Sequence, residues 1–66
     1  MIVDPKKLKY HMQLKFIDGK TLAKTCGLSD TTIYNILAGR QQPKPANLKA
    51  ICEALGCTAA DVLTEA

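Results

Sequence analysis

Apolar positions in this chain fall into one short pattern that recurs five times. An apolar or proline residue is followed at once by a potential helix cap, and a second apolar residue stands five positions after the first. The instances are Val3-Asp4…Leu8, Ile17-Asp18…Leu22, Leu28-Ser29…Ile33, Pro43-Lys44…Leu48 and Cys57-Thr58…Val62. This is the spacing of the hydrophobic staple, in which the residue before the cap packs on the fourth helical residue and sets the angle at which the chain enters the helix. Four of the caps are Asp, Ser or Thr, whose oxygen can accept an otherwise unpaired backbone N–H. Lys44 lacks such an oxygen, but Pro45 behind it has the fixed φ that suits a first helical turn. Gly27, Gly39 and Gly56 stand where glycine commonly ends helices. The pattern predicts helices near 4–15, 18–26, 29–38, 45–55 and 58–64, with no strand alternation anywhere. The expected fold is all-α, a five-helix bundle forming one domain over residues 1–66.

Periodicity then separates inner from outer faces. Leu48, Ile51, Cys52 and Leu55 lie at i, i+3, i+4 and i+7 and form a core stripe. Leu22, Ala23 and Cys26 do the same for the short second helix. In the third, Ile33, Ile36 and Leu37 share one side, which at about 100° per residue leaves Thr31, Asn35 and Ala38 opposite, with Tyr34 on the flank. That outer side carries small and hydrogen-bonding groups where a plain solvent-facing surface would carry Lys and Glu.

The second and third helices are joined by the tight connection Cys26-Gly27-Leu28-Ser29. Ala23 is small where the two must approach, and Gly27 permits the turn. Two helices that cross steeply while one keeps its far side free make a helix-turn-helix, whose second helix enters the major groove of DNA.

The distribution of charge suits a polyanionic partner and suits a solvated lysine-rich surface equally. Residues 1–49 hold all nine Lys and Arg and only three carboxylates, whereas residues 50–66 hold three carboxylates and no cation. No apolar run approaches the roughly 20 residues of a membrane span, and Met1–Tyr10 lacks the apolar core of a signal peptide, so a cytoplasmic, nucleoid-associated protein is expected. A zinc site would need Cys26, Cys52, Cys57 and His11 to converge without the usual local spacing. Reduced thiols packed as small hydrophobes are the expectation instead, with no cofactor and no small-molecule ligand. His11, on the Leu8–Met12 side of helix one, reads as a partly buried, hydrogen-bonded residue. No nucleophile or carboxylate is spaced to make it catalytic, so an enzyme is not expected.

The order Leu22-Ala23-x-x-x-Gly27-Leu28-Ser29, Ile33-x-x-Ile36, Gly39-x-x-x-Pro43 resembles the Cro and lambda-repressor-like helix-turn-helix family, the XRE family. The stretch Leu48-x-x-Ile51-Cys52-x-x-Leu55-x-Cys57-x-x-x-Asp61-Val62-Leu63 is similar to a branch of small bacterial and phage regulators within it. The resemblance covers residues 8–63 and implies a lambda-repressor-like bundle that binds double-stranded DNA and regulates transcription, as a repressor. Two departures stand out. Where many members pair an arginine with a glutamate, this chain has Met12 and Leu37, which are expected to meet in the core; replacing a buried ion pair by packed hydrophobes is often neutral or stabilising. Where many members carry a phosphate-bonding glutamine at the start of helix two, this chain has Gly19.

Candidate roles follow residue by residue. By the resemblance, Asn35 and Asp30 occupy base-contact positions. An amide can pair bidentately with adenine, and a carboxylate can accept from cytosine; Asp30 in the first helical turn also complements the helix dipole. Thr31 offers a methyl to thymine and a hydroxyl to a base edge. Tyr34 is placed with the base contacts, reaching either a phosphate or a sugar. Arg40 and Lys44, in the loop after the third helix, are the leading phosphate candidates, followed by Lys20 and Lys24 on helix two and by Ser29, which also reads as an N-cap. A homodimer through the C-terminal segment with Val62 and Leu63 is implied by resemblance, the same residues being equally suited to closing the core. The alternative is a protein-interaction module of the same fold, antitoxin-like or an anti-regulator subunit.

Overall fold

Each staple of the sequence opens a helix in the computed structural model, which describes residues 1–65. The order is β1 (Ile2–Val3), α1 (Pro5–Leu14), α2 (Gly19–Cys26), α3 (Asp30–Leu37), α4 (Pro45–Leu55), α5 (Ala59–Val62) and β2 (Leu63–Thr64). Asp4, Asp18, Ser29, Lys44 and Thr58 are the five N-caps. Asp4 accepts the Lys6 N–H at 2.9 Å, Asp18 the Thr21 N–H at 2.7 Å and Ser29 the Thr32 N–H at 3.1 Å. At α5 the Asp61 carboxylate reaches back to the Thr58 N–H at 2.9 Å and accepts its hydroxyl at 3.1 Å. Lys44 makes no side-chain cap bond, and Pro45 opens its helix alone.

The helix ends share a single device. After α2, the Leu28 N–H reaches back to the Ala23 carbonyl at 2.9 Å and the Gly27 N–H to Lys24 at 3.3 Å, a Schellman turn around Gly27 at φ 71°. Gly56 does the same after α4 and Gly39 after α3. After α1 the left-handed position is taken by Phe16 at φ 54°, with Ile17 N–H bonded to Met12 O at 3.0 Å. A β-carbon in that conformation is crowded against the following carbonyl. Phe16 gains no packing in return, being 96% exposed.

Turn and staple interlock. Ile17, Leu28 and Cys57 each close the turn behind one helix and precede the cap of the next, and each packs on the core. That core is Val3, Leu8, Met12, Leu22, Ala23, Ile33, Ile36, Ile51, Cys52, Leu55 and Val62. α2 packs on α3 and α4, while α1 packs on α3 and α5. Met12 is buried in this cluster and Leu37 is half-buried against it. Burial lifts the Cys26 thiol above its ordinary value and that of Cys52 to about 11, with Cys57 close by adding to the second effect. All three cysteines are free thiols.

One expectation fails at the C-terminus. The fifth helix stops at Val62, and Leu63–Thr64 turn into a strand antiparallel to Ile2–Val3, pairing Val3 with Leu63 and Ile2 with Thr64. The Asp4 N–H bonds to Val62 O at 2.8 Å, and Lys7 Nζ to Leu63 O at 3.0 Å. A two-residue strand is too short to show alternation, so no periodic signal announces it.

Two outcomes follow. Replacing Phe16 with glycine relieves the left-handed strain without loss of buried surface, and should stabilise the fold by about 0.5–1 kcal/mol. A thermal melt then shifts upward by a few degrees; a lower melting point would mean that Phe16 holds something in the fold. The carboxyls of Asp18 and Asp61 are both held below their ordinary value, chiefly by the backbone N–H groups of Thr21 and Thr58. Their contribution is therefore complete above the unfolded value near 3.8 and is lost as pH falls through the lowered folded values. Urea titrations from pH 6 to pH 2 should show a flatter acid loss in the double variant Asp18→Asn, Asp61→Asn than in the parent.

Candidate nucleic-acid interface

The turn between α2 and α3 determines what α3 can present. Ala23 is fully buried, which lets the two helices close, and Gly27 redirects the chain so that Ser29 caps α3 within two residues. Ser29 Oγ and Thr32 Oγ1 are also hydrogen-bonded to each other at 2.8 Å, stiffening this first turn. Ile33 and Ile36 are sealed in the core and Leu37 lies at its margin, so α3 is held by one side only. On the other side Asp30, Thr31, Tyr34 and Ala38 are exposed, and Asn35 is half-buried.

The candidate cations flank α3 in the chain, two before it and two after it. Lys20 and Lys24 are exposed on α2. Past α3, the Arg40 N–H bonds to the Asn35 carbonyl at 2.9 Å, tying the backbone of the loop cation to the helix that presents Asn35. Arg40 and Lys44 are themselves exposed. The segment between them has no large apolar anchor in its sequence, yet it is anchored: Gln42 Oε1 accepts the Val3 N–H at 2.8 Å, fastening the loop to β1. Nothing in the residue pattern marks Gln42 for that task, since its partner lies 39 residues away.

Gly19 is the second feature the pattern leaves hidden. Gly27, Gly39 and Gly56 have positive φ, whereas Gly19 is an ordinary helical residue that is nonetheless buried. A β-carbon there would stand 3.2 Å from Tyr34 Cε1, 3.5 Å from Tyr34 Cζ and 3.5 Å from Leu37 Cδ1. Tyr34 therefore leans on the first turn of α2. The packing of this aromatic on Gly19 is a tertiary fact that residue spacing does not display.

Elsewhere, His11 is half-buried as expected, but among the described residues its ring makes no hydrogen bond; it packs edge-on to Tyr10 at a centroid distance of 5.4 Å instead. Val62 of the C-terminal segment is fully buried, and Leu63 is half-buried in the strand pair. Among the described residues no helix is long and apolar enough to cross a membrane.

A helix of eight residues, capped at its start, packed along one side and bare on the other, follows a short helix across a glycine turn: this arrangement defines a helix-turn-helix. A family profile described as helix-turn-helix matches residues 12–62, and the chain belongs to that family of DNA-binding domains, of the XRE type. Among solved structures, native PhpD with cadmium atoms is 26% identical, with a TM-score of 0.82 over 100% of this chain and 14% of that one. A mutant of hydroxyethylphosphonate dioxygenase matches at 26% identity and TM-score 0.83, over the same shares of the two chains. The chain thus spans 14% of the length of these neighbours. A hypothetical transcription factor, NHTF from Neisseria, shares the fold at TM-score 0.76 and 20% identity, over 92% of this chain and 78% of its own. No curated protein sequence matches.

Proposed function

We propose that this chain is a sequence-specific, non-enzymatic regulator of transcription, a repressor that occupies an operator by inserting α3 into the major groove. The observation that carries the reading is the bare outer side of α3, uncharged apart from Asp30 and bracketed by Lys20 and Lys24 before it and Arg40 and Lys44 after it. In this reading Asn35, Thr31 and Asp30 meet base edges, and Tyr34 works at the margin of that surface. The lysines, Arg40 and Ser29 meet phosphates. Cation–phosphate contacts supply most of the affinity through counterion release, and base contacts supply the discrimination. One short helix reads few base pairs, so the working form is a two-fold dimer with its α3 helices about 34 Å apart. Its contact surface lies on the C-terminal segment, where Leu63 rather than the sealed Val62 has surface left to offer. Such a protein acts in the cytoplasm, on the nucleoid.

A second reading is supported by the exposed carboxylate of Asp30, a penalty beside phosphates, and by the occurrence of this fold as 14% of a dioxygenase chain. In that second reading this chain is a protein-interaction module of the same fold, antitoxin-like or an anti-regulator subunit, and DNA is not its partner.

Fluorescence anisotropy on duplex DNA separates the two. The regulator binds random duplex at low salt with an affinity that falls steeply as salt rises, and a flat, absent response favours the interaction module. Within the regulator reading, Arg40→Ala should weaken binding to all sequences alike and lower the salt slope by about one. Asn35→Ala should relax preference at a single base position, costing about 1–3 kcal/mol on the best sequence. If both variants bind like the parent, the assignment of the reading surface is wrong.

A further inference from the structure

Gly19 is conformationally unnecessary where it stands. Its backbone is helical, a shape every residue adopts, and glycine is disfavoured in helices relative to alanine. Space is the remaining reason for it: the Tyr34 ring lies tight against the position of a side chain at residue 19, its Cε1 3.2 Å and its Cζ 3.5 Å from where a β-carbon would stand. Cζ bears the hydroxyl, so the polar end of Tyr34 is at the first turn of α2 rather than over the middle of α3. Tyr34 is still 54% exposed, which leaves that end in reach of a partner.

From this contact we infer that Gly19 is a specificity-determining position: it lets Tyr34 lie back against α2, making it a contact to the DNA backbone and leaving base reading to Asp30, Thr31 and Asn35. The inference rests on the DNA-binding reading given above. In a helix-turn-helix the first helix lies across the sugar–phosphate backbone while the second enters the groove. A tyrosine on α3 that leans onto the start of α2 leans out of the groove, toward the strand that α2 spans. A hydroxyl there can donate to a phosphate oxygen, a contact blind to sequence. A β-carbon at position 19 makes the Tyr34 ring give by a few tenths of an ångström; in this inference it gives away from α2, toward the groove. There it competes with Asn35 for base edges. Gly19 is thus a positioning residue acting through Tyr34.

The test compares parent, Gly19→Ala, Tyr34→Phe and the double variant by selection from a randomised duplex pool and by anisotropy at several salt concentrations, after circular dichroism confirms folding. Tyr34→Phe keeps the ring packed on Gly19 and removes only the hydroxyl. It should weaken binding to every sequence by one common factor, about tenfold for a lost bond to a charged group, and select the parent's sequences. Gly19→Ala should keep the parent's salt slope but select a different base at one position or lose preference there. In the double variant, the shift in preference should persist while the common loss no longer adds. The inference falls if Gly19→Ala selects the parent's sequences, or if Tyr34→Phe alters preference at one base. Should Gly19→Ala not fold, Tyr34→Phe decides alone, by uniform loss or by changed preference. A parent that binds no duplex overturns the regulator reading and this inference together, whereas a parent that binds while Gly19→Ala leaves selection untouched overturns this inference only.

Discussion

Three side chains each hold two helices, and the geometry of the rest depends on them. Ile17, Leu28 and Cys57 follow a residue in left-handed conformation and precede a helix cap. One backbone bond from each seals the helix behind it, while its side chain packs on the core and orients the helix ahead. A connection of three or four residues can do this because the closing apolar contact of a Schellman turn and the opening contact of a staple are made by the same residue. The crossing between α2 and α3 is thereby determined locally, and a small chain with few apolar residues to spare holds a defined shape.

The exit from α3 breaks this rule, and the break is informative. There the residue after the left-handed glycine is Arg40, and the chain runs into a polar loop instead of straight into another helix. With no apolar side chain closing the turn inward, Arg40 is free to face outward at the end of the bare side of α3. The loop is held instead by one amide, Gln42 on Val3. The N-terminal strand thus supports the loop that presents two of the candidate phosphate contacts, through the hydrogen bond between Gln42 and Val3.

Much of this was legible before any coordinates. The five caps and staples, the glycine stops, the inner stripe of α4 and the two-sidedness of α3 all depend on interactions between residues no more than about five apart, which sequence spacing displays directly. The placement of Met12 and Leu37 was legible too, because both departures from the ion pair are apolar. The strand pair was not, since two residues per strand carry no period. Gln42 looked like an ordinary loop polar residue, and Phe16 stands at a helix end that glycine takes elsewhere in the chain.

Local spacing, then, was enough to establish how many helices this chain forms, where each starts, where the glycine-ended ones stop, and which side of α3 turns inward. The tertiary structure alone decided that the chain ends pair, that a glutamine fastens the Arg40 loop, and that Tyr34 lies against Gly19. The physical reason is the range of the interactions. Caps, turns and staples are made between near neighbours and leave a pattern in the sequence, whereas a strand pair joining the two ends, a bond across 39 positions and a ring resting on another helix exist only once the bundle has closed.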